Sequence, residues 1–266
     1  LGVAALFWNN PHNPGVATNT GWYYILRQDT PGGILVLIDS VFQNNSFVDS
    51  FTVCNDSIDY QIVSADSSGC INASNFQLLE PDALQPGAVV IDSVSVDTLT
   101  GLGTIGWQPG LSADIAGYIV YIANDFGGWD SIATVYGRDS AFFMDLNSMV
   151  DSSSVLYNIV AFDNCGNKGI FGQGHTTIYL SGVLDTCRGE AVLNWNPYLS
   201  WQSGVSGYEI LLSVNGGSYS MLGFTTSAQF IHTGLVRGDL YCYYVRASDG
   251  AGLKTSTSNL MCTYKD

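Results

Sequence analysis

The stretch YNIVAFDNCGNKG, Tyr157 to Gly169, ends in a short turn, DNCGNKG, that crowds together an acid, two amides, a thiol and two glycines. Those residue types could hold calcium or carry a nucleophile. A calcium loop of the D-x-[DN]-x-[DN]-G type with a distal Glu needs oxygen ligands at fixed places. With Asp163 first, Cys165 falls on the third place, Lys168 on the sixth and Gly174 on the twelfth. The pattern fails at each of those places. A nucleophilic Cys165 needs a nearby His, and the spacing supplies none. As a turn, nearly every residue fits: Asp163, Asn164, Gly166 and Asn167 all tolerate the backbone of a tight hairpin. The stretches YQIVSADSSGCIN from Tyr60 and YCYYVRASDGAGLKT from Tyr241 share its form. A feature that recurs within one chain is first a repeat. The third copy makes its turn with Ser248–Gly252, without a thiol.

Other chemistry is sparse. Glu80, Glu190 and Glu209 are the glutamates of the chain, so a paired-carboxylate glycosidase would have to rely on Asp. No G-x-S-x-G, H-E-x-x-H or phosphate-cradling Gly-Lys loop occurs. We therefore expect no enzyme and no cofactor. The remaining candidates are aromatic. Trp22, Trp129 and Trp201 stand outside the strand-end Trp series described below, and Trp201 shares the loop NPYLSWQSG with Tyr198. Exposed rings of this kind stack on sugars or anchor protein partners. Buried, they would cover strand edges or a junction between modules.

The elements around these residues are strands. Apolar residues make up 46% of the chain and charged ones only 12%, enough apolar surface for several cores. Segments rich in Val, Ile, Tyr, Phe and Thr alternate with turn clusters such as DTPGG, NDFGG and SVNGG. Lys and Arg total 8 against 23 Asp and Glu, a net charge of −15. That charge repels phosphate backbones and anionic lipid, so neither nucleic acid nor membrane insertion is expected. No apolar run approaches the ~20 residues of a membrane helix. The opening LGVAALFW lacks a basic leader region and reads as the inside of a strand.

Trp8, Trp107 and Trp195 each end an apolar strand, in GVAALFW, LGTIGW and EAVLNW. A strand carrying Tyr23, Tyr118 or Tyr208 follows each, then two more strands, then the Tyr-led strand described first, then a closing strand. Units of roughly 90 residues suit a seven-stranded sandwich. One indole fills the gap between two facing sheets. The tyrosine opening the sixth strand can pack its ring inward and bond its hydroxyl to the preceding loop. On these residues the chain resembles fibronectin type III domains over nearly its whole length. The expectation is all-β: three consecutive Ig-like or fibronectin type III-like sandwiches at 1–86, 87–181 and 182–266, the first lacking its N-terminal strand and leaving one sheet with an unpaired edge.

The stretches GYIVYIANDFGGWDSIATVYG, VAFDNCGNKG and LNWNPYLSWQSGVSGYEILLS also resemble repeats of gliding-motility-associated, type IX-secreted surface proteins of Bacteroidetes. That resemblance implies a secreted or cell-surface bacterial location. It also makes the recurring Asp-Ser and Asp-Thr pairs, such as Asp130-Ser131, candidate O-glycan acceptors. The implied role is a structural or adhesive stalk. Its partners would be neighbouring domains of the same polypeptide, or a surface protein or glycan. The alternative is an accessory carbohydrate-binding module using Trp201, Tyr198, Trp129 and Trp22.

Six cysteines, Cys54, Cys70, Cys165, Cys187, Cys242 and Cys262, form an even set with no zinc spacing, so disulfides and no metal are expected. Cys242 and Cys262 lie equally far from Gly252, so they face each other across a hairpin, on the outside of the sheet. Proximity pairs Cys54 with Cys70 and Cys165 with Cys187. A Cys54–Cys165 bridge is the alternative.

Overall fold

A computed structural model describes residues 2–10, 19–30, 32–51, 57–66, 69–79 and 84–266. They divide into two compact units: residues 1–85 with 163–167, and residues 86–162 with 168–266. All the regular elements described are strands.

The first unit holds β1 (Gly2–Phe7), β2 (Asn19–Gln28), β3 (Val36–Phe42), β4 (Ser46–Phe51), β5 (Ile58–Asp66), β6 (Ile71–Ala73) and β7 (Gln77–Leu79). β1 pairs with β4, and the facing sheet runs β3-β2-β5-β6, with β7 also on β5. Alternation decides the faces, because successive side chains in a strand point to opposite sides. Ala4, Leu6 and Trp8 turn inward against Phe47, Phe51, Ile25, Ile58 and Tyr60. Val3, Ala5 and Phe7 turn outward.

The second unit contains two complete sandwiches. The first of them has β8 (Val90–Val96), β9 (Gly103–Gln108), β10 (Ile115–Ala123), β11 (Trp129–Tyr136), β12 (Phe142–Asp145), β13 (Leu156–Asp163) and β14 (His175–Thr176). Its sheets run β12-β9-β8 and β11-β10-β13-β14. The next has β15 (Leu180–Asp185), β16 (Glu190–Trp195), β17 (Val205–Val214), β18 (Ser220–Thr225), β19 (Gln229–Thr233), β20 (Leu240–Asp249), β21 (Thr255–Thr257) and β22 (Met261–Tyr264). Its sheets run β15-β16-β19 and β18-β17-β20-β21, with β22 also on β20. The chain is thus a series of consecutive fibronectin type III-like sandwiches, and the first has no counterpart of β8 or β15 among the described residues. β15 opens at Leu180, slightly ahead of the sequence-based start of the third module, because Leu180 already pairs with Trp195.

Each sandwich repeats the same aromatic core. The strand-end Trp leans on the Tyr of the next strand: Trp8 on Tyr23, Trp107 on Tyr118 and Trp195 on Tyr208, with ring centroids 5.5, 5.4 and 5.4 Å apart. The tyrosine corners differ in detail. Tyr60 donates to Asp49 Oδ2 at 2.7 Å and Tyr157 to Asp145 Oδ2 at 2.8 Å. Tyr241 instead accepts the Val236 N–H at 2.7 Å. Burial and the carboxylate partner both raise the Tyr60 and Tyr157 hydroxyl pKa values.

The turn that opened the analysis is a local hydrogen-bonded hairpin. Asp163 Oδ1 accepts the N–H groups of Cys165 and Asn167, and Oδ2 accepts Asn167 Nδ2, each at 2.8 Å. Of the residues suited to a left-handed backbone, Gly166 takes it (φ 82°). Asp249 does the same work in the last sandwich by accepting the N–H groups of Leu253 and Lys254. Hydrogen bonding, that from the Lys254 N–H first, holds the Asp249 carboxyl pKa down.

The cysteines correct part of the sequence reading. Cys242 and Cys262 sit directly opposite in register and are bonded. Cys165 is also in a disulfide. Cys70 and Cys187 are exposed thiols, so the expected Cys54–Cys70 and Cys165–Cys187 bridges do not form. Cys54, and with it the Cys54–Cys165 alternative, lies outside the described residues.

Candidate functional site: the joint between two sandwiches

Tyr198 and Trp201 come from the loop joining β16 to β17. The sequence reading offered them either as exposed ligand-binding rings or as buried cover for strand edges or a junction between modules. The structure buries them: Tyr198 is 2% and Trp201 6% exposed, and their ring centroids lie 4.1 Å apart. They belong to one continuous apolar core that runs from Val89, just ahead of β8, and Ile91 of β8 through to Val245 and Ala247 of β20.

Their polar atoms explain the position. Trp201 Nε1 donates to the Asp92 carbonyl at 2.6 Å. The Tyr198 hydroxyl accepts the Val94 N–H at 3.1 Å and lies 2.6 Å from His175 Nδ1. The His175 ring and the Tyr198 hydroxyl share one hydrogen bond, whose direction follows the imidazole tautomer. Burial of His175, and secondarily the charge of Lys254, pull its pKa down from 6.5 to about 4. Burial pushes the Tyr198 hydroxyl pKa up. Both groups are therefore neutral near pH 7, as a dry joint requires.

A second row of bonds runs from the closing strand of the last sandwich to β8. Ser256 Oγ donates to the Val94 carbonyl at 2.6 Å and Thr257 Oγ1 to the Val96 carbonyl at 2.7 Å. Lys254 Nζ pairs with Asp92 Oδ1 at 2.7 Å. The edge of β8 is thereby covered rather than left to solvent, which is one way native sheets protect an edge.

The connecting segment is held by two asparagines. Asn196 accepts the Tyr179 N–H at 2.7 Å and donates to the Thr177 carbonyl at 2.9 Å. Asn259, 3% exposed, accepts the Leu180 N–H at 2.6 Å and donates to the Leu180 carbonyl at 3.0 Å. Each side-chain amide acts as a substitute peptide and removes the linker's freedom to bend. Sequence reasoning did not single out His175, Asn196, Ser256 or Asn259.

Of the other two aromatics, Trp22 is 42% exposed and lies across the strand pair from Phe42, centroids 5.2 Å apart. Trp129 stacks on Phe171 at 5.4 Å. Trp22 and Trp129 belong to different sandwiches, and neither has a ring contact with Tyr198 or Trp201 among the described contacts. Among the described residues, no three of His, Cys, Asp and Glu come together as a metal site would require. No described helix is long and apolar enough to cross a membrane.

No family model matches the chain. It is similar to Exoglucanase B of Cellulomonas fimi, 23% identical over 237 residues, which are 80% of this chain and 20% of that protein. The chain thus spans about a fifth of the length of that curated relative. Among solved structures it is similar to the FN1–FN3 domains of chicken CNTN1, at 17% identity, TM-score 0.28, with 99% of this chain and 94% of that one covered. A tetra-tandem repeat in the extending region of a large adhesion protein is similar at 18% identity and TM-score 0.34, covering 93% and 67%.

Proposed function

We propose that this chain is a non-catalytic structural segment, a stalk or spacer, within a secreted or cell-surface bacterial adhesive protein. The observation that carries the reading is the joint at Tyr198 and Trp201. A continuous core and a clamped linker make two sandwiches into one stiff body, which is what a spacer needs and what a string of independent binding modules does not. The disulfide between Cys242 and Cys262 supports an oxidising, extracellular setting. The acidic surface favours solubility at the cell exterior. The resemblance to gliding-motility-associated, type IX-secreted proteins of Bacteroidetes supplies the finer assignment of source and export route. Similarity to a short part of an exoglucanase supports an accessory region in a modular protein and transfers no hydrolytic activity.

The test is rotational diffusion of the full chain by NMR relaxation. The sandwich of β8–β14 and that of β15–β22 are expected to share one correlation time. Distinct correlation times for the two sandwiches would remove the spacer reading.

A further inference from the structure

In the first sandwich, one side of the sheet β3-β2-β5-β6 packs on the core. Tyr23 and Ile25 of β2 and Ile58 and Tyr60 of β5 point to that side and are buried. Alternation therefore turns Trp22, Tyr24 and Leu26 of β2, with Gln61, Val63 and Ala65 of β5, to the other side. Register extends this outer face onto β3, where Phe42, Ser40 and Leu37 lie opposite Trp22, Tyr24 and Leu26. On β6, Ala73 lies opposite Val63 and Ile71 opposite Ala65. Of these residues only Ser40 and Gln61 are polar and none is charged, in a chain of net charge −15. Trp22 is 42%, Phe42 51%, Leu37 55% and Ile71 73% exposed. Charge enters at the far end of β5, with Asp59 opposite Leu78.

The other two sandwiches treat the same face differently. In the sandwich of β8–β14, Ile119 and Val160 point outward yet are 9% and 2% exposed. The segment after β13 lies along them: the Asn158 side chain donates to the Gly172 carbonyl at 3.0 Å, and Phe171 packs on Tyr121 and Trp129. In the last sandwich the face carries charge and a staple. Arg246 Nε donates to Glu209 Oε2 at 2.7 Å, and Cys242 is bonded to Cys262. The first sandwich shows neither cover nor charge on the described residues of this face, and an open apolar face of this kind marks an interaction surface.

Its chemistry selects the occupant. A sugar needs hydrogen-bonding side chains beside the rings. Gln61 is already spent on the Ser74 carbonyl at 3.0 Å, and Trp22 and Phe42 are tilted by 52° rather than flat. A basic partner needs carboxylates, which the face lacks. A second copy of the chain fits better. Two bodies of charge −15 repel wherever carboxylates meet, and this face lets them approach without opposing like charges. The face also complements itself. Its bulky side chains stand on β2 and β3, and its small ones, Ala65, Ala73 and Val63, on β5 and β6. A two-fold axis along the strands lays β3 and β2 of one copy over β6 and β5 of the other. Trp22 of one copy then meets Ala65 of the other, and Tyr24 meets Val63.

We infer that the outer face of the β3-β2-β5-β6 sheet is a self-association surface, through which two copies of this chain pair face to face. Four strands about 4.8 Å apart, with three outward residues along each, make roughly 400 Å² of face per copy. Two such faces fall at the small end of specific interfaces, so the dimer is weak and forms at high local concentration.

The experiment is sedimentation of the full chain from micromolar to millimolar concentration. The parent protein is expected to pass from monomer to dimer across that range. Leu37→Glu combined with Ile71→Glu sets two carboxylates on the face and should weaken the dimer by about tenfold or more. Hydrogen exchange in β2 and β5 checks that the variant folds. Ser40→Asp, at a position already polar, is the second variant and should act in the same direction. Val183→Glu, at a 68% exposed position on the outside of β15, is the control and should leave the dimer unchanged. Because the copies repel each other, added salt should tighten the association. A parent protein still monomeric at millimolar concentration overturns the proposal. So does a dimer that survives both face variants, or one that Val183→Glu weakens equally. A dimer that salt weakens rests on ion pairs elsewhere, with the same consequence. None of these outcomes bears on the joint at Trp201, so this inference and the spacer reading fail separately.

Discussion

Replacing Trp201 by Ala separates the two accounts of the loop aromatics. On a glycan-binding surface, the substitution would remove retention and leave folding intact. In the joint, the indole is 6% exposed, lies against Tyr198 and donates to the Asp92 carbonyl. Truncating a buried Trp to Ala costs about 3–5 kcal/mol from lost transfer energy and the cavity left behind. The Asp92 carbonyl also loses its partner, which adds about 1 kcal/mol. The sum, about 4–6 kcal/mol, is comparable with the whole stability of a small domain. It falls on the contact between two sandwiches, so much of it should appear as uncoupling. Urea denaturation monitored by hydrogen exchange is the assay. In the parent protein, amides of β8 and β21 should open together. In Trp201→Ala they should open at different urea concentrations, with the overall midpoint lowered. Trp201→Phe keeps one six-membered ring but loses the N–H bond and part of the indole's packing, so a loss of about 1–3 kcal/mol is expected. A loss below about 1 kcal/mol for Trp201→Ala, with β8 and β21 still opening together, would refute the joint.

The joint should also weaken in acid. His175 titrates at about 4 in the folded protein against 6.5 when unfolded, so its contribution is complete above pH 6.5 and is lost as pH falls through 4. The loss is on the order of 3 kcal/mol or less. The difference in urea midpoint between the parent and His175→Gln should shrink across that window, and a pH-independent difference would contradict the assignment. At the tyrosine corners, Tyr157→Phe leaves the buried Asp145 carboxylate without its hydroxyl partner and should cost about 1.5–3 kcal/mol by thermal unfolding. Tyr60→Phe should cost its own sandwich less, because Asp49 keeps Arg27 at 2.8 Å. Reducing the Cys242–Cys262 bridge, which spans a sequence separation of 20, should destabilise the last sandwich by about 3 kcal/mol without unfolding it. Equal urea midpoints with and without reductant would show that the bridge is silent.

How far the sequence speaks depends on whether a residue answers to its own strand or to a neighbouring module. Trp8, Trp107 and Trp195 answer to their own strands. Alternation turns them inward and the following tyrosine fixes what they meet, so the sandwiches and their order could be read directly. The bond between Cys242 and Cys262 was legible for the same reason: one hairpin, one register. Cys70 and Cys187 were not, because a loop cysteine's partner depends on which pole of the sandwich it reaches. Trp201 and Tyr198 answer to β8, a strand about a hundred residues away in another sandwich. A loop aromatic has no periodicity to show which way it faces, and a binding platform and a buried joint have the same composition. The informative contrast was between repeats. The corresponding loops after Trp8 and Trp107 begin NNPHNPG and QPGLSAD, while the one after Trp195 begins NPYLSWQ. Aromatics in only one copy of a repeated loop must serve something that only that copy has. The last sandwich is the one that follows its neighbour through a short linker without proline, so of the two readings the sequence offered, cover of a junction between modules is the one that agrees with the burial of these rings.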